Sequence, residues 1–176
     1  MTTTFAPSQA TVGGSKQDPL QCTKQDTGTE PELGAMTQKA IELLDDPTAE
    51  KGFFLQVESA SIDKRDHSSD ACGQIGETGR LDEATKAALD FAKQDGNTLV
   101  VVSADHSHTS QIVGDGGDYT APTTRLLTAD KSPMTVAYGT SKGGSQQHTG
   151  AQLPIAAWGP GEQNVLGQLD QTDMHF

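Results

Sequence analysis

Positive charge is scarce in this chain. Its 176 residues carry 12 Lys and Arg against 24 Asp and Glu, a formal net charge of −12. Proteins grip a nucleic-acid backbone by displacing counterions with an excess of cations; this chain has none, which excludes nucleic acid as a partner. Long apolar runs are also missing. Stretches such as Leu99-Val100-Val101-Val102 stop after four residues, far short of the roughly 18 that a membrane span needs, so no membrane partner is expected. The first twenty residues have neither a basic start nor an apolar h-region, so no signal peptide is visible. Cysteine is limited to Cys22 and Cys72, and aromatics make up 5% of the chain. What is present suffices for one domain with a real core.

From Met1 to Pro31 the chain is rich in Thr, Ser, Gln, Gly and Pro, and Phe5 is its only aromatic. Such a stretch buries too little apolar surface to offset the entropy of ordering it, so residues 1–31 read as a flexible polar lead-in to a domain over 32–176. Thr29-Glu30-Pro31-Glu32 has the form of a helix start. Leu33, Met36, Ala40 and Leu44 recur on one face, which predicts a helix over 32–45 ended by Asp46-Pro47. Gly52-Phe53-Phe54-Leu55-Gln56-Val57 reads as a buried strand. A second helix carries Leu81, Ala84, Ala88, Phe91 and Ala92 and stops at Asp95-Gly96-Asn97. Thr98–Ser103 suits a strand covered on both faces, and weaker strands follow at Met134–Tyr138 and Leu153–Trp158, with a loop over Gln111–Lys131. This order predicts an α/β architecture, a partial three-layer αβα sandwich with a mostly parallel central sheet.

Both of the stronger strands run into residues that bind metals. The first ends at Glu58, followed by Ser61-Ile62-Asp63-Lys64-Arg65-Asp66-His67; the second ends at Ala104-Asp105-His106-Ser107-His108. With Gln147-His148-Thr149-Gly150, these places hold four of the five histidines. Asp63 and His67 are four apart and share a helix face. An oxygen and an imidazole nitrogen suit zinc, and a third ligand such as His148 leaves a position open for water or substrate. The same spacing also describes an exposed ion pair. Asp105 and His106 stand where a strand breaks into a loop and both can turn toward one ion, or they form a solvated polar loop. Glu58 is a hard oxygen ligand for magnesium or a strand-end glutamate facing water. His175 has no neighbouring donors.

Gly52–Glu58, Ser61–His67, Cys72-Gly73-Gln74-Ile75-Gly76-Glu77-Thr78, Ala104–His108, Gln147–Gly150 and Asp170-Gln171-Thr172-Asp173 form an ordered set. Together they resemble bacterial alkaline phosphatase over residues 22 to 173. The resemblance implies a homodimeric, periplasmic or secreted phosphate monoester hydrolase that uses two zinc ions and one magnesium and works through a phosphoserine. Carried onto this chain, it implies Asp63, His67 and His148 on the first zinc, Asp105 and His106 on the second, and Glu58 on magnesium. Lys64 then sits near phosphate through water, and His108 orients a zinc-ligand carboxylate. Cys22 and Cys72 correspond to a disulfide pair of the family; two reduced thiols are the alternative.

The family's nucleophilic serine, in an Asp-Ser-Ala segment, has no counterpart here. The bridging carboxylate, the magnesium-bound threonine and the phosphate-clamping arginine are also missing. The resemblance therefore implies the carboxyl-terminal part of a longer enzyme, inactive alone because phosphoryl transfer depends on positioning and charge stabilisation. Two other readings stay open: a non-catalytic zinc-binding module, and a related sulfatase or phosphodiesterase with a similar metal-ligand pattern.

Overall fold

The structure, a computed structural model, describes residues 5–25, 27–48 and 50–175. In chain order the described elements are β1 (Thr11–Val12), α1 (Leu33–Leu44), α2 (Ser61–His67), α3 (Ala71–Asp95), β2 (Val100–Val102), β3 (Ser110–Val113), β4 (Pro122–Leu127), β5 (Pro133–Tyr138) and β6 (Ala156–Trp158), with short 3₁₀ turns between them. They fall into two compact units. One comprises Met1–Glu30, Ser59–Gly79 and His108–Ala151; the other comprises Pro31–Glu58, Arg80–Ser107 and Gln152–Phe176.

The first unit is built on a four-stranded sheet in the order β1-β4-β5-β3, and every strand pairing in it is antiparallel. β4 and β5 pair from Thr123 opposite Ala137 to Leu127 opposite Pro133. Their short turn is held by the Thr128 N–H donating to the Ser132 carbonyl (2.9 Å) and by Lys131 at φ 69°. A connection this short can join only antiparallel neighbours, because parallel strands need a crossover of a dozen or more residues. The expectation of a mostly parallel sheet is therefore overturned. The expected loop over 111–131 is corrected as well, since it contains β4. Leu126, Val136 and Tyr138 from this sheet meet Ala10, Ala71 and Cys72 in one core, with Phe5, Cys22 and Met134 against it.

Described residues of the polar lead-in hydrogen-bond to the rest of the first unit. Ser8 donates through its N–H and its hydroxyl to Asp70 Oδ1 (2.7 and 3.1 Å), and the Cys72 N–H donates back to Ser8 Oγ (3.0 Å). Leu20 exchanges backbone bonds with Arg125 and Leu127, and the Ser15 N–H donates to Thr123 Oγ1 (2.8 Å). Composition counts apolar burial, whereas this segment is held by hydrogen bonds to groups distant in sequence and by the Cys22–Cys72 disulfide across a separation of 50.

The second unit contains α1, the Arg80–Asp95 part of α3, and a two-stranded antiparallel sheet of β2 and β6. Thr37 and Ile41 form the buried stripe of α1, while Met36 and Leu44 of the expected face are exposed. Ala84 and Ala92 of α3 are buried, and the Phe91 ring lies 5.9 Å from that of Phe53. α3 ends as expected, with Gly96 at φ 73° and its N–H on the Ala92 carbonyl (2.9 Å). Residues 52–57 form no strand, and Phe54 is 87% exposed, so the expectation of a buried strand there is not met. No described helix is long and apolar enough to cross a membrane.

Candidate metal centre

Helical spacing in α2 sets Asp63 and His67 on one face, with Asp63 Oδ1 3.4 Å from His67 Nε2. The loop after β5 brings His148 to them: its Nε2 is 3.1 Å from Asp63 Oδ1 and 3.1 Å from His67 Nε2. His108, just ahead of β3, adds its Nε2 at 3.4 Å from Asp63 Oδ1. These four side chains, all in the first unit, each offer a ligand-type atom within 4.8 Å of the others. The cluster is closed at His108, whose side chain is 7% exposed, and open at His148, at 49%.

Hydrogen bonds on the far side of each ring decide what it offers the centre. Nδ1 of His67 lies 2.5 Å from the Gln146 carbonyl. A carbonyl only accepts, so Nδ1 carries the proton and Nε2 presents its lone pair to the cluster. His108 is the reverse. The Thr109 backbone N–H, which only donates, points at His108 Nδ1 (2.9 Å). In the neutral ring Nε2 then carries the hydrogen, on the atom 3.4 Å from Asp63 Oδ1.

Asp66 is buried with its Oδ1 3.9 Å from His108 Nδ1, and burial pushes its carboxyl from 3.8 up to about 6, partly offset by a hydrogen bond from Ser110. It accepts from Gln74 Nε2 (2.7 Å), and Gln74 in turn accepts from the buried Tyr138 hydroxyl (3.2 Å).

The donor set passes a simple test for zinc. Ligand atoms about 2.0–2.1 Å from a tetrahedral ion stand roughly 3.3 Å apart. Asp63 Oδ1, His67 Nε2 and His148 Nε2 are separated by 3.1 to 3.4 Å. One carboxylate oxygen and two imidazole nitrogens are the donor types zinc takes at sites that keep a position open.

Lys64 is exposed on α2, next to Asp63. Glu58, Asp105 and His106 belong to the second unit. Glu58 is exposed. Asp105 and His106 follow β2, with His106 Nε2 3.6 Å from Asp105 Oδ2. Cys22 and Cys72 are bonded to each other. Sequence reasoning did not single out Asp66, Thr109 or Gln146. The signal was adjacency, since each is within two residues of a histidine of the cluster, but their partners are remote in sequence.

The alkaline phosphatase family model matches residues 16–146. The chain is 53% identical over 171 residues to the alkaline phosphatase of Escherichia coli (strain K12), covering 96% of this chain and 36% of that protein. It is 51% identical to alkaline phosphatase H of Pseudomonas aeruginosa (98% and 36% covered). Against the streptomycin-6-phosphate phosphatase of Streptomyces griseus the identity is 40% (94% and 38% covered). Among solved structures, the alkaline phosphatase from the Antarctic bacterium TAB5 superposes with a TM-score of 0.65 at 26% identity, over 88% of this chain and 42% of that one. A variant TAB5 alkaline phosphatase with Mg bound gives 0.62 at 28%, over 81% of this chain and 39% of that one. The chain thus spans little more than a third of the length of these curated relatives. With the family model fitted across residues 16–146 and this identity along nearly its whole length, the chain belongs to the alkaline phosphatase family.

Proposed function

We infer that the chain is the carboxyl-terminal, zinc-holding portion of a longer phosphate monoester hydrolase, with Asp63, His67 and His148 as ligands of one zinc. The observation that carries this is the set of hydrogen bonds on the far side of the His67 and His108 rings. The Gln146 carbonyl turns the His67 Nε2 lone pair inward, and the Thr109 N–H turns His108 into a donor toward Asp63. What zinc supplies when bound here is Lewis-acid polarisation of a phosphoryl oxygen. The chain's own groups do the rest. His108 holds the Asp63 carboxylate in orientation, and Lys64 is an exposed cation beside it for phosphate oxygens, reached through water.

Asp105 and His106 are assigned to a second zinc and Glu58 to magnesium. Support comes from their donor types and from the bound Mg named for the TAB5 variant. The three-layer sandwich, a homodimeric state and a periplasmic or secreted location belong to the longer parent in this reading. The phosphoserine belongs there too, since this chain has no Asp-Ser-Ala segment and no arginine motif for phosphate. Without them the isolated chain lacks the nucleophile and most of the charge stabilisation, and is inactive alone.

The test is zinc titration of the purified chain, with p-nitrophenyl phosphate hydrolysis as the activity readout. The expected result is tight zinc binding that His148→Ala removes, with no turnover above the metal-free baseline. Zinc-dependent turnover abolished by His148→Ala would overturn the inactivity. A chain that takes up no zinc would overturn the metal assignment. One observation favours a second reading, a non-catalytic zinc module: the cluster is complete within the first unit. Turnover that appears on adding a polypeptide with the remaining parent segment decides for the hydrolase.

A further inference from the structure

The geometry points to Gln146, acting with Thr109, as the positioning residue that prepares the centre for metal by setting the His67 tautomer and seating the His148 loop. This rests on the metal-holding reading above. Gln146 is buried to 1% exposure, two residues before His148, and Thr109 is buried to 3% directly after His108. The side chains of both are engaged in hydrogen bonds to the loop over 139–141 and to each other.

The Gln146 backbone clasps His67 twice. Its N–H donates to the His67 carbonyl (2.9 Å), and its carbonyl accepts from the His67 ring at Nδ1 (2.5 Å). Ring and main chain of one ligand are therefore held by one residue of the loop that delivers another. A neutral imidazole left to itself populates both tautomers, and only the form with the proton on Nδ1 offers Nε2 to a metal.

The side chain explains why that backbone stays in place. Gln146 Oε1 accepts from the Thr140 N–H (3.2 Å), the Thr140 hydroxyl (2.9 Å), the Ser141 N–H (3.0 Å) and the Thr109 hydroxyl (3.4 Å). Its Nε2 donates to the Ser141 carbonyl (3.0 Å). Only a neutral amide of this length both accepts at one end and donates at the other. Leucine or methionine would break all of these bonds and leave the partly buried loop groups without them.

Thr109 extends the same device to the remaining histidine. Its hydroxyl accepts from the Gly139 and Thr140 N–H groups (2.9 and 3.1 Å) and donates to Gln146, while its own N–H sets His108. The Thr149 hydroxyl closes the circuit on the His108 carbonyl (3.1 Å). One buried amide and one buried hydroxyl thus coordinate the rings of His67 and His108 and the approach of His148.

The experiment uses the full 176-residue chain with two readouts. One is the tautomer of each histidine from ¹⁵N shifts of the metal-free protein; the other is Co²⁺ and Zn²⁺ affinity, with the Co²⁺ absorption spectrum reporting geometry. Wild type is expected to show His67 protonated at Nδ1 and His108 at Nε2. Gln146→Met should give mixed tautomers at His67 and a loss of about 10–100-fold in metal affinity, the range for outer partners of metal ligands. Gln146→Glu, which keeps the accepting oxygen, should recover part of both. Thr109→Val is the second variant should Gln146→Met not fold, and is expected to weaken affinity several-fold with the same change at His67. Unchanged tautomers and affinity in the folded variants would overturn the inference. If wild type binds neither ion, the metal reading falls, while the tautomer comparison still decides the role of Gln146.

Discussion

Arg125 grips Asp115 with two parallel hydrogen bonds, from Nε to Oδ1 at 2.8 Å and from the guanidinium terminus to Oδ2 at 2.6 Å. The Thr135 hydroxyl adds a third at 2.9 Å. The Arg125 bonds are the main reason the Asp115 carboxyl is held at about 2, below its ordinary 3.8. A carboxyl with a lowered folded-state pKa stabilises the fold above its unfolded value, and that contribution is lost as pH falls through the folded one. The chain should therefore lose stability between about pH 4 and pH 2 partly through this group. Urea midpoints measured across that window should fall less steeply in Asp115→Asn. Parallel profiles for the two proteins would remove Asp115 from the acid transition.

His108→Phe keeps a ring of similar size and deletes the donor facing Asp63. Zinc affinity should drop about tenfold or more, as expected when the brace on a ligand is lost, while His148→Ala should abolish tight binding. Competition against a chromophoric chelator measures both. If His108→Phe were as severe as His148→Ala, His108 would be a ligand and the tautomer argument would fail. If it matched wild type, the bracing role would fail.

The Cys22–Cys72 bridge spans a sequence separation of 50. Closing a loop of that size restricts the unfolded chain by on the order of 4 kcal/mol in the loop-entropy model. The Cys22→Ser, Cys72→Ser double variant should unfold at correspondingly lower urea, with the polar lead-in the first segment exposed to protease. A denaturation midpoint equal to that of the oxidised chain would show that the hydrogen bonds of Ser8, Ser15 and Leu20 hold this segment unaided.

Two glycines should respond to alanine with opposite sign. At Gly159 the backbone has φ 119°, and an added Cβ would meet the Thr98 carbonyl oxygen at 2.2 Å. Backbone strain of this kind alone costs of order 1–3 kcal/mol, so Gly159→Ala should destabilise by about 2 kcal/mol or more. At Gly79, inside α3, an added Cβ meets nothing within 4 Å. Gly79→Ala should stabilise by roughly 0.5–1 kcal/mol. Thermal denaturation of the pair checks both, and a stable Gly159→Ala would mean that β2 and β6 separate more easily than their pairing indicates.

Much of the molecule was legible in the residues themselves. The end of α3 at Asp95-Gly96, the extent of α1, the presence of a strand at Val100–Val102 (though not its expected cover on both faces, since Val101 is exposed) and the pairing of Asp63 with His67 on one helix face follow from local periodicity and local turn chemistry. The pattern proved less informative where the partner is distant. Pro122–Leu127 looks like loop because of its Thr-Thr-Arg centre, and it becomes a strand because β5 pairs with it. The bonds from the lead-in to Asp70, Thr123 and Arg125 are likewise unreadable from its composition.

What the amino-acid order determined alone was the family and the donor types: carboxylate and imidazole at spacings that suit a metal. Tertiary structure decided the direction of every strand pairing and which nitrogen of each histidine faces the centre. The reason is physical. Periodicity and residue type act over a few neighbours, whereas strand direction depends on which partner the loops allow. A ring's tautomer depends on a single carbonyl or N–H: for His67 that group sits 79 residues away in Gln146, and for His108 it is the adjacent Thr109, held in place by Gln146.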